Sequence, residues 1–178
     1  LADALKFISI FRSQLPPEAY QTIIPLLGAL LAHPKIVVHT YAATALDRLL
    51  TVREAPPATG GLGPLRFGAE RLTPLLQTLL TSLFGALKLP GSQENAYVMR
   101  AILRVSSVAG EGMGPFVATC IEELKSHLTR VCENPTNPSF NHYMFEAIAV
   151  LVRSLCSGAT PNPAAVDAFE GMLFPPFQ

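Results

Sequence analysis

The stretch YVMRAILRVS at residues 97–106 decides the fold, because two other stretches of the chain repeat its pattern. Residues 41–50 read YAATALDRLL and residues 143–152 read YMFEAIAVLV, so each stretch begins Tyr-x-x-x-Ala and continues with Leu or Ile. The three tyrosines are spaced 56 and 46 residues apart. Helical-pair repeats of the HEAT and armadillo type have periods of about 40–47 residues, which insertions lengthen. The pattern therefore predicts an all-α HEAT-repeat solenoid.

A second motif, with a proline at its centre, precedes each of these stretches. Its copies are IIPLLGALL at 23–31, LTPLLQTLL at 72–80 and MGPFVATCI at 113–121, and LFPPFQ at 173–178 resembles the beginning of another. A proline inside a helix removes a backbone hydrogen bond and bends the helix. We therefore predict that the proline motif forms a bent first helix of each repeat and that the tyrosine stretch forms the second helix.

The two motifs divide the chain into a partial repeat array. The predicted segments are the second helix of a truncated repeat at 2–14, a repeat at 17–52, a linker at 53–68, a repeat at 69–109, a repeat at 114–157 and the start of a further repeat at 163–178. The linker, REAPPATGGLGPLRFG, is rich in proline and glycine, which favours a flexible segment. Because the chain begins with Leu1 and ends within a hydrophobic pattern, we expect a middle piece of a longer array, with apolar faces at both ends.

Composition excludes several classes of partner. Hydrophobic residues make up 49% of the 178 residues and charged residues only 15%, with a formal net charge of zero. No basic patch of the kind that binds nucleic acid is evident. The longest apolar run, 23–32, is too short to cross a bilayer, which needs about 18–20 residues. Three cysteines without a CxxC pair favour a reducing compartment and buried, unreactive thiols.

No catalytic, metal-binding or cofactor-binding residues can be assigned from the motifs. The four histidines lack the spacing of a metal site, and we expect them to be surface or capping residues. The glycines at 60–68 match no phosphate-binding loop. A cysteine–histidine pair could meet only in space, and the apolar surroundings of Cys120 and Cys156 favour an inert thiol. We expect neither an enzyme nor a cofactor.

The repeated tyrosines and the turn before the last of them are predicted to be structural. Tyr41, Tyr97 and Tyr143 stand four residues before an alanine, on one helix face, so we expect them to be largely buried against the first helix. The stretch ENPTNPS at 133–139 is expected to be a turn between two helices, because a residue before proline avoids helical geometry. Ser139 or Asn141 is expected to cap the helix that follows.

The polar face of the second helices is the candidate partner surface. The alignment places charged residues at equivalent positions of successive second helices: Arg48, Arg100, Arg104, Glu146 and Arg153. We call these five residues the ridge. In a HEAT stack the second helices line the concave wall. The ridge is either a solvated polar face or a partner contact, and truncation of Arg100 and Arg104 should then hardly change stability, by about 0.5 kcal/mol. A large loss of stability would mean instead that these arginines hold neighbouring repeats together.

Four stretches resemble a known family. FRSQL at 11–15, VVHTYAA at 37–43, LPGSQENAYVMRAILR at 89–104 and NPTNPSFNHYMFEAIAVLVR at 134–153 closely resemble the cellular apoptosis susceptibility family of importin-α export receptors, within the importin-β (karyopherin) superfamily. The resemblance covers nearly the whole chain, with 53–68 as its variable part.

The resemblance implies a nuclear export receptor built from HEAT repeats. Such a receptor binds importin-α together with Ran-GTP in the nucleus and shuttles to the cytoplasm. Nuclear pore components are further candidate partners. It implies no hydrolysis by this chain, because Ran carries the nucleotide. The alternative that remains is a structural HEAT scaffold of a larger assembly, with no transport role.

Overall fold

The computed structural model describes residues 1–58, 60–156, 167, 169–171, 173 and 174. Its α-helices are α1 (Ala2–Ile10), α2 (Pro17–Leu30), α3 (Ile36–Leu49), α4 (Ala69–Leu72), α5 (Leu76–Leu87), α6 (Ala96–Ala109), α7 (Val117–Glu133) and α8 (Pro138–Cys156). These described residues contain no β-strand, only an isolated antiparallel bridge between Arg53 and Leu65. The all-α prediction is confirmed for this part of the chain. The predicted further repeat at 163–178 lies largely outside it.

The helices form two layers. Helices α1, α3, α6 and α8 pack side by side in chain order, and we call them the second-helix layer. Helices α2, α5 and α7 pack behind α3, α6 and α8 respectively and form the first-helix layer. Each pair therefore contacts chiefly its neighbours along the chain, which is the organisation of an α-solenoid. Within the described residues, no helix is both long and apolar enough to pass through a bilayer.

Small residues allow the two layers to approach closely. Ala45, Ala101 and Ala147, which the alignment placed in register, are all completely buried. Leu46 and Ile102, which follow the first two of them, are completely buried as well. Burying one such aliphatic side chain contributes about 1.5–3 kcal/mol. The repeated Ala-(Leu/Ile) pair thus lies in the hydrophobic core of each second helix.

The prolines of the first helices have different consequences in the three pairs. Pro25 lies inside α2, which continues through it. Pro74 lies in a 3₁₀ turn, Thr73–Leu75, between α4 and α5, and Pro115 lies in another, Gly110–Phe116, that leads into α7. The predicted change of helical geometry at proline therefore takes the form of 3₁₀ segments in the second and third pairs.

The side chains of two asparagines cap the first turns of α6 and α8. The side-chain oxygen of Asn95 accepts hydrogen bonds from the backbone N–H groups of Tyr97 and Val98 at 3.1 and 3.3 Å. The Oδ1 atom of Asn137 accepts one from the N–H of Phe140 at 3.1 Å. These bonds satisfy donors that a helix start leaves unpaired. The expectation that Ser139 or Asn141 caps α8 is wrong, because Asn137 does so.

The predicted flexible linker at 53–68 is fixed at its base. The N–H of Glu54 donates to Pro64 and the N–H of Arg66 donates to Val52, at 2.9 and 2.8 Å, so the two arms of the loop are paired. The Arg66 guanidinium binds both carboxylate oxygens of Glu54 at 2.8 and 3.3 Å. It also donates to the carbonyl groups of Ser13 and Leu15, beside α1 and α2. The contacts at the base of the loop therefore anchor the loop to the preceding helices, contrary to the expectation of a flexible linker.

Candidate functional site

The repeated tyrosines are less buried than the alanines four residues after them. Tyr97 is 56% exposed, so the prediction of a largely buried side chain is wrong there, whereas Tyr41 and Tyr143 are partly buried and pack against the hydrophobic core. Four residues turn a helix through about 400°, which rotates each tyrosine about 40° from its alanine. A short alanine tolerates that position next to the neighbouring helix, whereas the long tyrosine extends around the edge toward solvent. The tyrosines therefore border the candidate surface.

Two ridge arginines bind a buried carboxylate on the neighbouring repeat. The Nε atoms of Arg100 and Arg104, on α6, lie 3.0 Å from the two carboxylate oxygens of Asp47, on α3. The Asp47 side chain is 4% exposed, and those of Arg100 and Arg104 are 44% and 34% exposed. Charge-assisted contacts of this length are stronger than neutral hydrogen bonds. These contacts support the alternative that Arg100 and Arg104 help to hold neighbouring repeats together.

Arg100 extends the same chain of contacts to the next repeat. Its guanidinium lies 5.7 Å from the centre of the Tyr143 ring, on α8. A cation over an aromatic face contributes about 0.5–1 kcal/mol at exposed sites. Asp47, Arg100 and Tyr143 thus connect three successive second helices. Sequence analysis missed Asp47, although its alignment with Leu103 and Ala149 marks an unusual carboxylate at an otherwise apolar position.

The other ridge residues have different surroundings. Arg48 is exposed, and the described part of the chain offers its side chain no hydrogen bond or ion pair. Glu146 lies 3.6 Å from the imidazole of His142, one turn earlier on α8. Arg153 borders a separate cleft of about 290 Å³ that Ser106 and Glu111 also line. The structure thus brings Arg100 and Arg104 together on Asp47 and gives the other three ridge residues different surroundings.

A groove of about 640 Å³ runs along the outer face of α3. Its lining comprises Ile36, Val37, Thr40, Tyr41, Thr44, Arg48, Gly91, Glu94, Asn95, Ala96, Tyr97 and Asn137. We call this the α3 groove. Its volume is within the range of about 300–1,000 Å³ that is typical of ligand-binding clefts.

A polar network holds one end of the α3 groove in place. The two ring nitrogens of His39 lie 2.9 Å from the carbonyl oxygen of His33 and 3.0 Å from Oγ of Ser92. The Asn95 amide donates to Thr40 and to Ser92 at 2.7 and 3.2 Å. His39 is completely buried, so the expectation that the histidines are surface or capping residues is wrong here. Satisfied polar networks of this kind rigidify the elements they join.

A second cleft, of about 500 Å³, lies in the first-helix layer between α5 and α7. Phe84 and Phe116 line it, as does Cys120, and Lys88 binds Glu123 at its rim at 2.8 Å. Burial raises the pKa of the Cys120 thiol to about 12, and the nearby Glu123 carboxylate adds to this effect. A thiol with such a pKa stays protonated at neutral pH and is a poor nucleophile. Among the described residues, no three His, Cys, Asp or Glu side chains are placed to hold a metal ion.

Comparisons with known proteins cover the whole chain. Residues 47–178 match the family model described as CAS/CSE protein, C-terminus, and residues 1–46 match the model described as Cse1. The exportin-2 proteins of Bos taurus and Homo sapiens are each 48% identical over 173 residues. Those alignments cover 97% of this chain and 17% of each relative. Exportin-2 of Danio rerio is 42% identical over 176 residues, again with 17% of its length covered.

Proposed function

The chain belongs to the CAS/CSE family of exportin-2-like proteins, and we propose that it is a segment of a nuclear export receptor that returns importin-α to the cytoplasm. The full-length protein would bind importin-α together with Ran-GTP in the nucleus and shuttle between nucleus and cytoplasm. The observation that carries this proposal is the match to proteins named exportin-2 along 97% of the chain at 48% identity. The chain spans 17% of the length of these relatives, so it would supply only part of the receptor.

The two-layer architecture supports a conformational mechanism. Because each helix pair contacts chiefly its neighbours, small rotations between pairs add up along the array to a change of curvature. Two partners that favour the same curvature bind with positive coupling, and the coupling acts equally on both. Ran-GTP and importin-α would be such partners, and hydrolysis of GTP by Ran would remove one of them. This chain would carry out no chemical step.

We propose further that the ridge contacts one of these partners. Arg100 and Arg104 use their Nε atoms for Asp47, and within the described residues their terminal nitrogens have no hydrogen-bond partner. A planar guanidinium presents several donors at once and can bind a partner carboxylate while it retains an internal one. Arg48, Glu146 and Arg153 would add charge around this centre. Arginine is also enriched at protein interfaces.

A binding experiment with the full-length protein separates the transport role from the scaffold alternative. The immobilised protein is incubated with importin-α in the presence of Ran-GTP, of Ran-GDP or of neither. An export receptor should retain importin-α only with Ran-GTP. Equal retention under all three conditions, or none, would exclude the transport role and leave a structural HEAT scaffold.

A further inference from the structure

The α3 groove presents apolar side chains at one end. Ile36 and Val37, at the start of α3, are 46% and 52% exposed, and Tyr97 on the opposite wall is 56% exposed. Exposed apolar side chains that cluster in one depression, rather than lying singly, indicate a surface that another molecule covers. An apolar side chain of a ligand would be held between these residues.

The other end of the groove presents a positive charge. Ile36, Thr40, Thr44 and Arg48 follow one another at intervals of four residues along α3, so they form one row. At 1.5 Å per residue this row is about 18 Å long. Arg48 ends the row as an exposed guanidinium that the described chain leaves without an ionic partner. A ligand carboxylate would satisfy it with two parallel hydrogen bonds.

The remaining charge on the groove fixes the polarity of a ligand. Glu94 also lines the groove and precedes Asn95, whose amide donates to Thr40, four residues from Ile36 and eight from Arg48 along α3. The Glu94 carboxylate accepts a hydrogen bond of 2.6 Å from the hydroxyl of Thr136. An acidic group of a ligand is therefore attracted at the Arg48 end and repelled at the Glu94 end.

Free hydroxyl groups favour an extended ligand over a helical one. Within the described residues, the phenolic oxygens of Tyr41 and Tyr97 have no hydrogen-bond partner, and both rings line the groove. An extended segment offers free backbone N–H and C=O groups to such hydroxyls, whereas a helix has already paired its own. An extended chain advances about 3.3 Å per residue, so the axial distance of about 16–18 Å from Val37 or Ile36 to Arg48 corresponds to about five residues.

We propose that the α3 groove binds an extended segment of a partner protein in which a large apolar residue and an acidic residue stand about five positions apart. The apolar residue packs among Ile36, Val37 and Tyr97, and the acidic residue binds Arg48. This proposal goes beyond the transport role, because it specifies the chemistry of the bound segment whichever protein supplies it.

The test uses two synthetic peptides and the full-length protein. The acidic probe carries 4-fluorophenylalanine followed by Ser-Gly-Ser-Asp-Asp, and the control peptide has two lysines in place of the two aspartates. Fluorine NMR of the peptide detects weak binding, because a small peptide bound to a large protein shows broadened lines. We expect broadening of the acidic probe at protein concentrations up to about 1 mM and none of the lysine peptide.

Matched variants locate the binding. Arg48→Glu should weaken binding of the acidic probe about tenfold and create binding of the lysine peptide. Arg48→Ala should weaken binding of the acidic probe without creating binding of the lysine peptide. This variant provides a second test in case the charge-reversed protein does not fold. Arg130→Glu makes the same charge change at an exposed arginine of α7, in the other layer, and should leave binding unchanged.

Two results would overturn the proposal. One is no broadening by the wild-type protein, as expected if another segment of the full-length chain or a second copy already fills the groove. The other is equal broadening by the wild type and both Arg48 variants, which would place the probe elsewhere. The peptide measurement does not involve Ran or importin-α, so a failed Ran-GTP pull-down would remove the transport role and leave this result standing.

Discussion

His127 is a buried base whose titration should make the stability of α7 depend on pH. It is 6% exposed, its ring centre lies 5.7 Å from that of Phe140, and its Nδ1 atom is buried without a hydrogen-bond partner in the described structure. Burial lowers the pKa of the imidazole, and the nearby Arg130 charge adds to this effect. The folded state therefore binds the proton more weakly than the unfolded state does.

The sign of the pH effect follows from that difference. Above the unfolded pKa of about 6.5 the imidazole is neutral in both states, so its titration does not reduce the free energy of unfolding. As pH falls through about 6.5 toward the lower folded pKa, the unfolded state takes up protons first, so the free energy of unfolding decreases. We expect hydrogen exchange of the α7 amides in the full-length protein, corrected for intrinsic rates, to show weaker protection at pH 5.5 than at pH 7.5.

Two histidine variants provide the comparison. His127→Leu removes the titrating group and the unpaired nitrogen, so the loss of α7 protection between the two pH values should become smaller. His142→Gln replaces an exposed histidine and should leave the loss as it is in the wild type. An equal pH effect in the His127→Leu protein would show that other groups cause it.

Single residues also show which features could be predicted from the sequence and which could not. The alanines of the repeat were found by alignment, because a small residue that recurs in register has a packing role that does not depend on its surroundings. The burial of Asp47 and His39 depends on partners 57 and 53 positions away, which periodicity does not encode. Charged and polar residues are mostly exposed in proteins, so the default expectation fails where a distant partner compensates burial.

At the scale of elements, the loop 53–68 provides a test of close packing at a glycine. A Cβ atom added at Gly63 would overlap the backbone carbonyl oxygen of Glu54, whereas one added at Gly85, at an exposed position in the last turn of α5, would meet nothing within 4 Å. Gly63→Ala should therefore break the pairing of the loop arms and raise hydrogen exchange and protease cleavage at 53–68. Gly85→Ala should stabilise α5 by about 0.5–1 kcal/mol, because alanine is the better helix former. Equal protease resistance of the two variants would contradict the packing argument.

The same loop explains a wrong expectation about an element. Its prolines and glycines correctly indicate the absence of helix and strand, but they do not indicate mobility. Arg66 anchors the base through Glu54, and its guanidinium also lies 5.7 Å from the centre of the Tyr20 ring. Such an anchor depends on one side chain and its distant partners, so composition alone could not predict it.

Across the whole molecule, polar contacts connect neighbouring second helices in addition to their shared hydrophobic core. Asp47 and Arg104 connect α3 to α6, and Arg100 continues to Tyr143 on α8. The amide of Asn137 also donates to the carbonyl of Glu94 at 3.0 Å, across the starts of α8 and α6. A partner carboxylate that bound the terminal nitrogens of Arg100 or Arg104 would share the same guanidinium group with Asp47. Partner binding and the angle between repeats would then be linked through the same two guanidinium groups.

The last prediction separates a partner contact from an internal one. The double change Arg100→Ala and Arg104→Ala removes the guanidinium groups, whereas Asp47→Asn keeps both and removes only the buried charge that holds them. Each should lower the protection of α3 and α6 from hydrogen exchange by about 1–3 kcal/mol, less than for a fully buried pair because the arginines are half-exposed. The measurement that distinguishes them is the affinity of the full-length protein for importin-α with Ran-GTP.

If the ridge binds a partner, the double arginine variant should lose about 1–3 kcal/mol of affinity, a factor of about ten for each 1.4 kcal/mol. Asp47→Asn should retain or increase affinity, because the released guanidinium groups no longer divide their hydrogen bonds between two carboxylates. Glu122→Gln, the same carboxylate-to-amide change at an exposed position of α7, serves as the control. The arginine and Asp47 variants both break the internal contact, and they differ only in whether guanidinium groups remain for a partner. Equal losses of affinity in the two variants would therefore mean that these residues act only by holding the repeats together.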